Sequence, residues 1–188
     1  MSKAFTKEDN DENDGADEPD EADVLPSGTK NYVTPAGMRA LEDEFRFLMK
    51  EERPRIVEIV SWAAGNGDRS ENGDYIYNKK RLREIDRRLR YLTKRIEDAE
   101  VVDPKKQQRL EQVFFGATVT YAKADGSEHT VTLVGVDEAD LDQGKINWLS
   151  PVARALMKSR VGDEVEVRTA SGTEILDVFA ISYGISAE

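Results

Sequence analysis

Residues 75–99 read YIYNKKRLREIDRRLRYLTKRIEDA, and this stretch decides the architecture. Tyr75, Asn78, Leu82, Ile85, Leu89, Leu92, Ile96 and Ala99 follow one another at alternating steps of three and four. Such spacing holds one stripe of a helix against a partner for more than three heptads. Upstream, Leu41, Phe45, Leu48, Ile56, Ile59 and Ala63 mark an apolar stripe on an earlier helix. That helix is expected to start at Thr34-Pro35, a hydroxyl N-cap followed by a proline where no backbone donor is needed. Pro54 falls inside the run and predicts a local bend or a boundary between two helical pieces. Ala64-Gly65-Asn66-Gly67 places a turn. Two helices joined by a short turn pack antiparallel, so residues 31–104 should form a coiled-coil hairpin about 45 Å long at the usual helical rise.

Beyond Asp103-Pro104, residues 105–112 read as a polar linker and the hydrophobic period then changes to two. Residues 113–121 and 129–134 are expected to pair across a turn at 124–127. A short strand at 145–149 follows, then a short helix entered through Ser150-Pro151 and ending at Met157 or Lys158. Residues 164–169 and 173–183 alternate around Ala170-Ser171-Gly172. The fold class is therefore α+β: a helical hairpin followed, over 113–188, by a small and mainly antiparallel sheet covered by one short helix. Residues 1–30 carry ten acids, three bases and almost no large apolar side chains, so they are expected to form a disordered acidic tail.

Composition narrows the chemistry. With 35% charged and 38% hydrophobic residues, the chain suits an elongated shape better than one compact globule. It has no cysteine, which excludes disulfides and thiolate metal sites, and a single histidine, His129, which excludes a multi-histidine centre. No apolar run approaches the roughly 20 residues of a membrane span, and the acidic N-terminus is unlike a secretory signal, so a cytoplasmic protein is expected. The net charge of −11 conceals a basic middle: residues 31–113 hold eighteen bases and sixteen acids. An acidic whole does not exclude nucleic acid there.

Two constellations carry chemistry. The first is the turn Gly67-Asp68-Arg69-Ser70-Glu71-Asn72, where Asp68 and Glu71 stand three apart and their carboxylates can converge. A capping box, with Asp68 capping the second helix and Glu71 reaching back, explains the same spacing. As metal ligands the two are too few for Mg²⁺, which takes six oxygens, so any such ion would be shared with another protein. The second is the run Lys79, Lys80, Arg81, Arg83, Arg87, Arg88, Arg90, Lys94 and Arg95, nine bases against two acids, Glu84 and Asp86. Lys80, Arg83, Arg87, Arg90 and Lys94 fall opposite the seam, while Arg81, Arg88 and Arg95 flank it. Like charges three or four apart on a helix repel, which favours a phosphate-binding track over a merely solvated face. Trp62 and Trp148 read as packing residues and His129 as a surface residue. Asp137, Glu138, Asp140 and Asp142 match a calcium loop in composition but not in spacing.

With these features in view, residues 32 to about 184 resemble the bacterial Gre family of transcript cleavage factors. The resemblance rests on Glu51-Glu52-Arg53-Pro54, Trp62-Ala63-Ala64, GDRSENGDY at 67–75, NKKRLREIDRRLRYLTKR at 78–95, VFFGA at 113–117 and SPVARALMKSRVGD at 150–163. The long basic run is similar to that of the more basic branch of the family. The resemblance implies a second domain of FKBP-like fold without isomerase activity. It also implies a monomer, inert as an enzyme by itself, whose hairpin enters the secondary channel of RNA polymerase in a backtracked complex. Asp68 and Glu71 match the acidic tip residues that help hold the second Mg²⁺ and its attacking water. The polymerase then hydrolyses the nascent RNA near its 3′ end. Ser150 and Pro151 match a motif for docking at the channel rim. Asn66, Gly73, Leu149 and the acidic tail depart from the family pattern. Two other readings stay open: a regulator that occupies the channel without cleavage, and a general nucleic-acid-binding coiled coil.

Overall fold

The computed structural model describes residues 25–26, 28–65, 72–169 and 172–184. Most of the expected acidic tail (1–24 and 27) and the turn at 66–71 lie outside the described residues. The first helix, α1 (Pro35–Phe47), begins where the sequence places it. Thr34 is extended and its hydroxyl accepts from Gly37 N at 3.1 Å. The chain continues without a break through a π-helical turn, Leu48–Glu52, into α2 (Arg53–Ala64). Pro54 explains the π turn. Its ring cannot stand against the carbonyl four residues back, and it has no N–H to give. The helix widens just before it, so that Arg53 N reaches the Leu48 carbonyl five residues earlier.

Helix α3 (Gly73–Glu97) packs against α1 and α2, and Leu41, Leu48 and Ile56 meet Ile85, Leu89 and Leu92 in a buried core. The seam read from residues 75–99 holds up to Ile96. Ala99 is a correction: the helix stops at Asp98, and Ala99–Val101 forms a strand, β2, parallel to β1 (Asn31–Val33). Three-residue strands are too short to show a period, so neither was read from the sequence. What fixes them is the end of the helix. The buried Asn31 side chain donates to the Arg95 carbonyl at 2.8 Å, satisfying one of the last-turn acceptors.

The second part of the chain is a five-stranded sheet in the order β5-β4-β3-β7-β6, formed by β3 (Ala117–Lys123), β4 (Glu128–Val134), β5 (Lys145–Asn147), β6 (Glu164–Thr169) and β7 (Gly172–Tyr183). All neighbours are antiparallel except β4 and β5. Helix α4 (Pro151–Leu156) sets Ala153 and Leu156 among Val119, Leu133, Val167 and Val178. The α+β expectation holds. β3 starts at Ala117, not at residue 113, because Gly116 turns the chain with φ +84° and passes so close to Pro104 that a Cβ there would lie 2.7 Å from its Cγ. Residues 104–107 form a 3₁₀ turn, and the Gln112 side chain donates to the Lys158 carbonyl at 3.1 Å, so this connector lies along the sheet domain.

Candidate functional site

Only the two anchors of the acidic turn are described, and they are informative. Gly65 closes α2 by donating to the Trp62 carbonyl at 3.1 Å. Asn72 opens α3: its Oδ1 accepts from Tyr75 N at 3.2 Å, while its Nδ2 donates to the Ala63 carbonyl at 2.9 Å. One amide side chain thus caps α3 and ties it to the last turn of α2. The N-cap of α3 is Asn72, where the capping-box reading offered Asp68. Asp68, Arg69 and Glu71 themselves lie outside the described residues. Trp62, read as a packing residue, is instead 66% exposed, and Tyr77 on the first turns of α3 is exposed as well.

The nine bases of the expected track divide into two groups. Three are drawn into the fold. Arg81 meets Glu52 through Nη2 at 2.6 Å and also Glu84 at 3.3 Å. Arg88 forms a two-pronged pair with Glu44, Nε to Oε1 and Nη2 to Oε2, both at 2.7 Å. Arg95 is a correction. It is only 5% exposed, and its guanidinium meets Asp137 at 2.7 Å, so it belongs to an internal interface and not to a surface track. The hydrogen bonds to Glu52 and to Glu44 hold the Arg81 and Arg88 guanidiniums above their usual range. Relief of the like-charge cost therefore comes chiefly from Glu44 and Glu52 on the facing helix, with Arg53 answering Asp86 at 2.8 Å. The second group remains on the surface: Lys79, Lys80, Arg83, Arg87, Arg90 and Lys94 are exposed. Lys79 lies 5.6 Å from the Tyr75 ring. Lys80, Arg83, Arg87 and Lys94 have no ion-pair partner among the described residues, and helical spacing puts them on one face.

The acidic cluster at 137–142 supplies the join between the two parts of the chain. The Glu138 carboxylate accepts from Thr34 N at 2.9 Å, from Gly135 N at 3.1 Å and from the Thr34 hydroxyl. Asp137 accepts from Arg95 and from the Tyr91 hydroxyl. Burial, and then the bond to Asp137, pushes the Tyr91 phenol up to about 12. Beside these, Tyr32 stacks at a tilt on Phe115 and Trp148, with ring centroids 5.5 and 5.1 Å away, so Trp148 packs as read. Sequence reasoning missed this role for Asp137 and Glu138. Their only signal was an acidic cluster without metal spacing in a chain whose basic helix needed partners.

Ser150 caps α4, its hydroxyl accepting from Ala153 N at 3.2 Å, and Pro151 is exposed at the helix start. Just after α4, Lys158 holds a left-handed backbone with φ 70°. His129 lies on the surface, stacked on Tyr121 and bonded to the Ser127 hydroxyl. Among the described residues no group of three or more acidic, histidine or cysteine side chains could hold a metal ion, and no helix is long and apolar enough to cross a membrane.

The family described as "Transcription elongation factor, N-terminal" matches residues 31–101, and "Transcription elongation factor, GreA/GreB, C-term" matches residues 107–183. A transcription elongation factor GreB of Neisseria meningitidis serogroup A is 59% identical over 155 residues, covering 82% of this chain and 95% of that protein. The GreB of Pasteurella multocida is 49% identical over 155 residues, covering 81% and 96%. Among solved structures, GreA factor homolog 1 of Thermus thermophilus aligns with a TM-score of 0.39 at 22% identity, over 81% of this chain and 99% of that one.

Proposed function

The chain belongs to the GreA/GreB family of transcription elongation factors, and from that premise we propose that it stimulates RNA cleavage by RNA polymerase stalled in a backtracked complex. In this reading the protein works in the cytoplasm as a monomer and hydrolyses nothing alone. The hairpin of α1, α2 and α3 enters the secondary channel. The exposed face of Lys79, Lys80, Arg83, Arg87, Arg90 and Lys94 lies along phosphates of the extruded 3′ segment, and Ser150-Pro151 docks the sheet domain at the rim.

At the far end of the hairpin, Asp68 and Glu71 deliver two carboxylates to the catalytic centre of the polymerase. Their hard oxygen donors suit Mg²⁺, of whose six ligands they would supply two, and the bound ion favours hydroxide over water as the attacking group. Carboxylate oxygens left over from the ion would accept a hydrogen bond from the attacking water and so orient it. Arg69 would meet a phosphate. The observation that carries this reading is the division of labour at the turn. Asn72 caps α3 and links it to Ala63, so the N-cap duty is met by Asn72 and does not call for the acid pair.

The test uses backtracked polymerase with end-labelled RNA. The native chain should shorten the RNA in a Mg²⁺-dependent way, and Asp68→Asn with Glu71→Gln should abolish the stimulation while binding persists. Shortening that survives the double change would refute the donated carboxylates. Binding by the native chain with no shortening would favour a channel-occupying regulator.

A further inference from the structure

The exposed basic face of α3 has a candidate occupant within the same chain. Residues 1–24 contain ten acids and two bases, while residues 79–95 contain nine bases and two acids. The acidic stretch precedes the family match, which begins at residue 31. Its point of attachment is the decisive observation. Asn31 pairs with Ala99 directly after α3, its side chain donates to the Arg95 carbonyl, and Lys30 meets Glu100 at 2.8 Å. Because β1 and β2 run parallel, the residues before Asn31 leave this small sheet on the side at which α3 enters it.

From there the basic face is close. Lys94 stands in the last turns of α3, and Lys80 lies about 21 Å further along the helix at its ordinary rise. A chain of 24 residues spans at most about 80 Å, several times the distance required. Tethering raises the local concentration of the acids at the face to the millimolar range, where even weak ion pairs are populated at low salt. Lys80, Arg83, Arg87 and Lys94 supply four cations without an ion-pair partner among the described residues.

We propose that residues 1–24 bind the basic face of α3 within the same molecule and compete there with RNA, so that the factor is held back until a polymerase complex displaces its own tail. The competition rests on the track reading given above; the tail contact does not.

The experiment compares the full chain with a full-length variant in which the ten acids of residues 1–24 become amides. Reactivity of Lys80 and Lys94 toward an acetylating reagent, read by mass spectrometry, reports the contact, with Lys158 as reference. At about 50 mM salt the native chain should show both lysines protected severalfold relative to the variant, and by about 200 mM the difference should shrink. Equal reactivity overturns the proposal. Protection that weakens on dilution assigns the tail of a second copy and overturns it also. In parallel, a labelled oligouridylate of about twelve nucleotides should bind the variant about tenfold tighter than the native chain at low salt. Lysine protection with no oligouridylate binding by either protein would retain the contact and refute the track and its competition.

Discussion

A methyl group on Gly37 would lie 2.1 Å from Glu138 Cδ, and that carboxylate is held by three donors from Thr34 and Gly135. It has nowhere to retreat without leaving them. Gly37→Ala should therefore destabilise the protein by about 1–3 kcal/mol in a urea titration. Gly73→Ala makes the opposite case. The site is exposed, in the first turn of α3, and a Cβ there meets nothing within 4 Å, so this change should stabilise by about 0.4–1 kcal/mol. Tyr91 gives the pH dependence. Its phenol is raised from the usual 10 to about 12, so the folded state favours the protonated form. That contribution is complete below pH 10 and is lost as pH climbs toward 12. Near-ultraviolet phenolate absorbance should show Tyr91→Phe removing one group from the late end of the alkaline titration. At this scale the sequence is legible where a residue does one local job, as Thr34 and Ser150 do as caps. The role of Glu138 in the join was not legible, because two of its three donors belong to Thr34, 104 positions away, and nothing in the local pattern names that residue.

The helices could be read because each carries a long apolar stripe, and the seam of α3 needed only spacing to be recognised. The π turn before Pro54 follows from a missing donor and a bulky ring, although spacing alone could not choose it over a kink. β1 and β2 were invisible for want of length. The cross-helix pairs Arg81–Glu52, Arg88–Glu44 and Arg53–Asp86 keep their arginines partly in solvent, although Glu52 is largely covered, and each adds about 1 kcal/mol or less, so they set register more than stability. Asn72 matters more, since it closes the open end of the hairpin. Asn72→Ala removes a cap and a bond to Ala63, and should cost about 1–2 kcal/mol. Amide exchange at Tyr75 and Ile76 should quicken, and stimulated RNA cleavage should fall while affinity for polymerase is kept. Loss of affinity in step with cleavage would instead assign Asn72 to binding.

For the whole molecule, the hairpin and the sheet domain are joined by Arg95 and Tyr91 to Asp137, by Thr34 to Glu138, and by the rings of Tyr32, Phe115 and Trp148. The two parts were legible separately, each from its own periodicity. Their join was not, because it is made by single side chains from loops and helix ends that carry no period. Asp137→Ala leaves Arg95 buried without its acid, which should cost about 3–5 kcal/mol and split unfolding into two transitions. A single transition at the native midpoint would show that the join is idle. The join ties the hairpin to the sheet domain, and the hairpin is what would carry Asp68 and Glu71 into another protein's catalytic centre. The most direct measurement of that claim is a Mg²⁺ titration of RNA cleavage in backtracked polymerase, with the native chain and with Asp68→Asn. Donation of an ion ligand predicts that the variant needs about tenfold more Mg²⁺, or more still, for half-maximal cleavage, with partial recovery at high concentration. A lower maximal rate at an unchanged Mg²⁺ requirement would contradict it.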